Sequence, residues 1–149
     1  MKIGIASLLT LALLSNGAKA DTANAKLDFI EQMEALKAAC WITSMSTYNE
    51  AFLVGRNSGQ TSKKYEKALD SASQSSQSCV DTNKPKGRDF YKTEVLRRTE
   101  LKPALANYYG AWLGYMNWLS SPHDGLEESA EKNAYESSMN RLIAEIDAL

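Results

Sequence analysis

Few side chains in this 149-residue sequence could do chemistry, and their spacing suits few reactions. The single histidine, His123, sits in a Pro-His-Asp-Gly run. A nucleophile and base pair, or a histidine metal site, would have to draw on that one ring, which is expected to be an exposed loop residue beside a helix cap. No Cys-x-x-Cys, His-x-x-x-His or Glu-x-x-His spacing offers metal ligands, and covalent haem would need an absent Cys-x-x-Cys-His. Two acidic pairs, Glu31 with Glu34 and Glu127 with Glu131, fall on one helix face each and have acid-base spacing. Solvated helix surface accounts for them better, and Glu127, Glu128 and Glu131 also suit the positive end of a helix dipole. The reading is therefore a protein with no cofactor, no metal and no catalytic residues, not an enzyme.

The two cysteines, Cys40 and Cys79, lie far apart and form an even pair, which in an oxidising compartment implies a disulfide. That compartment is read from the first twenty residues. Lys2, an apolar run from Ile3 to Leu14 and an Ala18-Lys19-Ala20 ending make an export signal, with cleavage expected before Asp21. The apolar run is too short for the roughly 20 residues that a membrane span needs, so no span is expected. The domains are thus a signal peptide over 1–20 and one helical domain over 21–149, located in the periplasm. Without the signal, 15 basic side chains face 18 acidic ones. A mildly acidic exported chain is not a nucleic-acid binder.

The helices that must position these residues follow from apolar spacing. Phe29, Met33, Leu36, Cys40, Tyr48 and Phe52 recur mostly three or four apart, predicting a helix over 25–57 that stops in the glycine-rich run Gly55 to Gly59. A second helix, capped by Thr61 or Ser62, carries Tyr65, Leu69, Ala72, Ser76 and Cys79 on one stripe. In an antiparallel hairpin Cys40 and Cys79 then stand at the same height, which supports the crosslink independently. Asn83, Pro85 and Gly87 predict a loop over 81–88, with a short third helix from Phe90 to Lys102 and a kink or fresh start at Pro103. The aromatic helix beyond Pro103 ends at Ser120 to Gly125. Asp124 with Glu127 has capping-box spacing for the last helix, whose seam is Tyr135, Met139, Leu142, Ile146 and Leu149. The fold is an all-α, single-domain up-and-down bundle of four to five helices with one disulfide.

The aromatic helix is the most informative internal feature. Leu105, Tyr108 or Tyr109, Trp112, Met116 and Leu119 fill one core stripe, leaving Tyr115, Trp118 and one of Tyr108 and Tyr109 partly off it. Two explanations stand: a central helix covered all round, with Gly110 and Gly114 admitting a neighbour, or a second face that binds a partner. Charge is also uneven, with ten bases against six acids over 63–102 and two against seven over 103–149. Two solvated bundle faces account for this; alternatively Lys84, Lys86 and Arg88 form a basic loop aimed at an acidic partner or an anionic wall polymer.

The stretch Leu105-Ala106-Asn107-Tyr108-Tyr109-Gly110-Ala111-Trp112-Leu113 resembles the Trp-bearing helix of small exported lysozyme inhibitors, whose further cysteines are absent here. The layout is similar to periplasmic acid-stress chaperones and to immunity proteins against wall-cutting toxins of the type VI secretion system, with no shared motif. The expected function is protein binding, as an inhibitor or immunity protein that blocks a cell-wall-degrading enzyme or secreted toxin, through Tyr108, Tyr115, Trp118, Lys84, Lys86 and Arg88. The alternatives are an acid-stress chaperone and a small-ligand carrier with a pocket between helices lined by Trp112 and Met116.

Overall fold

The computed structural model describes residues 17–124 and 128–149; most of the expected export signal, Met1 to Asn16, lies outside them. The described chain is an all-α bundle of four helices: α1 (Gly17–Ser58), α2 (Lys63–Arg97), α3 (Lys102–Leu119) and α4 (Ala130–Asp147). α1 and α2 form a long antiparallel hairpin. α3 packs on α1, α2 and α4, while α1 and α4 flank α3 without packing closely on each other.

The hairpin is set by local signals. α1 ends where Gly59, at φ 88°, donates its N–H to Gly55 O at 2.9 Å, a left-handed cap that glycine adopts without steric cost. Gly55 itself is required by crowding: a Cβ there would stand 2.7 Å from the Tyr65 ring. Ser62 then caps α2, its hydroxyl accepting from the Tyr65 N–H at 3.2 Å. Small residues Ala51, Ala72 and Ser76 are buried along the seam and let the helices approach closely. Cys40 and Cys79 are joined as expected, with 5.5 Å between their Cα atoms. A closed loop of this size contributes about 3 to 4 kcal/mol in the chain-entropy model.

The expected loop over 81–88 and the separate third helix are corrected: both belong to α2, which runs through Pro85. An interior proline costs about 3 kcal/mol through its missing donor and its ring clash. Three features carry the helix through it. Pro85 faces solvent, while Asn83, nearly buried, donates to Cys79 O at 3.1 Å and lies 3.2 Å from Cys40 Sγ. Gly87 faces inward, where the Trp112 indole lies so close that a Cβ would meet its ring at 2.6 Å. The glycine that reads as a loop signal is there to admit a tryptophan.

The break before Pro103 is present. α2 ends at Arg97, a 3-10 turn covers Thr99–Leu101, and Pro103 occupies the first turn of α3, where its lacking N–H costs nothing. The junction is held by the buried pair Glu94 and Arg98, 2.9 Å apart. α4 is capped by Ser129, whose hydroxyl accepts from the Lys132 N–H at 3.0 Å. Asp124 is therefore not its cap, and Glu127, the other half of the expected box, lies outside the described residues.

Candidate functional site

The core stripe of α3 is as expected: Leu105, Tyr108, Trp112, Met116 and Leu119 are at most 1 % exposed. Trp112 donates its indole N–H to Met33 O at 3.2 Å, tying α3 to α1. Trp112 and Met116, the expected lining of a ligand pocket, are both fully buried. Tyr108, expected on the partner-binding surface, is fully buried. Its ring packs against Phe29 and Tyr135, and its hydroxyl lies 3.3 Å from that of Tyr135.

The basic residues Lys84, Lys86 and Arg88 are on α2 rather than on a loop. Lys84 donates to Asn117 Oδ1 and Lys86 to Asn83 Oδ1, while the Arg88 charge acts on Tyr109. On this flank Tyr91 and Tyr109 stack at 4.5 Å with planes 5° apart. Tyr115 and Trp118 turn the other way, towards α1 and α4, so the structure does not join the three bases to the aromatic pair in one surface.

His123 is buried, not exposed. Its Nδ1 lies 2.6 Å from Ser121 O; since a carbonyl only accepts, Nδ1 carries a proton. Its Nε2 faces Ser44 Oγ at 3.2 Å, and Ser44 donates to Leu119 O at 2.7 Å. Tyr48 donates to Ser120 O at 2.9 Å. These side chains satisfy carbonyls that the end of α3 leaves unpaired. Serine and histidine thus meet as in a nucleophile and base pair, but the Ser44 hydroxyl is sealed from solvent and committed to a backbone carbonyl. Of the acidic pairs, Glu34 is salt-bridged to Lys37 at 2.8 Å, and Glu131 lies in the first turn of α4. Among the described residues no group of three or more His, Cys, Asp or Glu could hold a metal ion.

A groove of about 310 Å³ opens over α3, between α1 and α4, while a shallower hollow of about 500 Å³ lies by the hairpin turn beside Phe52 and Tyr65. Tyr115 and Trp118 supply the groove's α3 side, Lys37 and Trp41 line the α1 wall, and Lys132 and Glu136 the α4 wall, beside Tyr135. A chain of rings backs it: His123 on Trp118 at 3.9 Å, Trp118 on Tyr115 at 5.6 Å, and Tyr115 on Tyr135 at 5.6 Å. Lys37 is engaged by Glu34 and stands 5.2 Å from the centre of the Tyr135 ring.

Trp41 differs from these rings. It is 41 % exposed and makes no ring contact or hydrogen bond among the described residues. Burial pushes the Tyr115 phenol above its ordinary value, and the charges of Glu136 and Glu34 add to that rise, so the phenol stays protonated. Trp41, Lys37 and Lys132 were not singled out by sequence reasoning. Trp41 had a readable signal, a large ring one position off the apolar stripe at Cys40, whereas nothing in the sequence marks Lys132.

No family model, curated protein or solved structure matches the chain. The fold and the groove alone define its class: a disulfide-braced helical bundle with an aromatic groove flanked by lysines.

Proposed function

We propose that this protein is exported to the periplasm, where it acts by binding a partner protein as an inhibitor or immunity protein against a cell-wall-degrading enzyme or toxin. The groove over α3 and its lip are the docking surface. Trp41 carries the reading: a half-exposed indole with no ring contact or hydrogen bond among the described residues, at the edge of a concave aromatic site, beside Ile42 at 60 % exposure. Tryptophan is the residue most enriched where a few anchors supply most binding energy, and water around a large exposed ring favours its burial by a partner. Trp118 and Tyr115 keep their expected role as the groove side of that surface. Lys84, Lys86 and Arg88 would serve on a separate face, as attraction for an acidic partner.

The test is capture by immobilised Asp21 to Leu149 with its disulfide formed. One stoichiometric partner should be retained from envelope or secreted extracts, and Trp41→Ala should weaken it by about 2 kcal/mol or more. Retention unchanged in Trp41→Ala and Trp118→Ala would remove the groove from the interface. A small-ligand role is the second reading, favoured by the groove's volume, which lies at the lower end of small-molecule sites.

A further inference from the structure

The charges around the groove narrow what can fill it. Lys37 and Lys132 stand on opposite walls, while Glu136 and Glu34 both act on the Tyr115 phenol. Lys37 is already paired with Glu34, and Lys132 shares its wall with Glu136, so these charges cancel and draw an ion of neither sign. The occupant that fits is uncharged. Hydrogen-bonding capacity is nevertheless left over. Lys132 and Glu136 enter no ion pair among the described residues, and the indole N–H of Trp41 has no acceptor. The Tyr115 hydroxyl is also unpartnered although the residue is 5 % exposed, and it is not among the sealed polar atoms, so it opens to the groove. Donors from three elements and one carboxylate acceptor therefore surround a single open indole face.

We propose that the groove is a saccharide site that takes a neutral pyranose ring of a short oligosaccharide. The ring's C–H face lies on Trp41, and its hydroxyls meet the Tyr115 hydroxyl, the Lys132 ammonium and the Glu136 carboxylate. A pyranose combines an apolar face with a rim of hydroxyls that each donate and accept, so it satisfies an ammonium and a carboxylate in one site. A plain aromatic group would cover the indole but desolvate Lys132 and Glu136 without repayment. The proposal rests on the groove being the recognition site and deepens its small-ligand reading.

The experiment titrates Asp21 to Leu149, disulfide formed, with cellotriose, maltotriose and tri-N-acetylchitotriose, and with hexanoate as the anionic control. Tryptophan emission and amide shifts are the readouts. Saturable binding of at least one neutral trisaccharide is expected, weakened roughly thirtyfold or more by Trp41→Ala. Tyr115→Phe keeps the ring stack and removes only the hydroxyl, so a loss of roughly three- to tenfold is expected. Lys92→Met, at an exposed position of α2 outside the groove, should change nothing. Absence of saturable binding to all three sugars, binding that survives Trp41→Ala, or binding of hexanoate alone overturns the proposal. Failure with the sugars while Trp41→Ala still abolishes partner capture leaves the groove as the recognition site and removes only its saccharide; failure of both removes the groove.

Discussion

On one flank of α3 Tyr109 stacks flat on Tyr91, and on the other Trp118 stacks on Tyr115. The two pairs have similar composition and different surroundings. α2 packs against the first flank, so the two rings use their faces on each other and both stay partly buried. The second flank looks into the space between α1 and α4, and there the rings line a groove. An aromatic surplus on a helix thus has two outcomes, decided by whether a neighbouring helix supplies a ring to stack flat on it or leaves a space beside it. The closed flank should answer to mutation through stability, and the open flank through binding.

The largest effect belongs to the residue beneath the closed flank. Trp112 is fully buried, fills the notch at Gly87 and holds Met33 O. Trp112→Ala should lower unfolding free energy by about 3 to 5 kcal/mol, measured by urea denaturation with the disulfide intact. A loss below about 1 kcal/mol, the range of many ordinary substitutions, would mean that the core is not organised around this ring.

Alkaline pH probes both flanks together. Burial raises the phenols of Tyr48, Tyr108, Tyr109 and Tyr115 above their ordinary value of 10.0, with the Glu34 charge adding to the rise at Tyr108. The unfolded chain then releases these protons first, so stability is fully present below about pH 10 and falls above it. Each such group contributes a slope of about 1.4 kcal/mol per pH unit between its unfolded and folded values. Urea midpoints should be level from pH 7 to 9 and drop beyond 10, and Tyr108→Phe should reduce that drop. A profile unchanged by Tyr108→Phe would show that this phenol does not govern the alkaline transition.

The same contrast shows what could be read from the sequence. Apolar spacing located α1, α3 and α4, and the glycine run placed the hairpin turn, because these signals act locally. The proline and glycine in α2 misled, since their reasons are tertiary: Pro85 is tolerated on the solvent side, and Gly87 answers to a ring 25 positions away in the chain. His123 misled in the same way. A Pro-Asp-Gly setting implies exposure, and only the folded chain brings Ser44 and Trp118 around the ring. Of the site, Tyr115 and Trp118 were legible as surplus on a helical stripe. Lys132 joins them through the placement of α4, which no local pattern records.

Gly87→Ala sharpens the comparison at the closed flank. Replacing a mid-helix glycine by alanine gains about 1 kcal/mol in helix propensity. The new methyl must displace a buried indole, and overpacking costs about 1 to 3 kcal/mol. The two terms oppose each other, and a net loss of about 0 to 2 kcal/mol is expected. A net stabilisation would mean that Trp112 has room to withdraw, which its burial and its bond to Met33 O argue against.

The smallest stability effect should come from the ring with the greatest exposure. Trp41 makes no ring contact or hydrogen bond within the described chain, so Trp41→Ala should shift unfolding free energy by no more than about 0.5 kcal/mol. Its binding effect should be the reverse of that of Trp112→Ala, large at unchanged stability. Urea denaturation and partner capture on the same preparations separate the two. If Trp41→Ala instead unfolds at markedly lower urea, the indole belongs to the core that joins α1 to α3, and the open flank is a packing fault rather than a recognition surface.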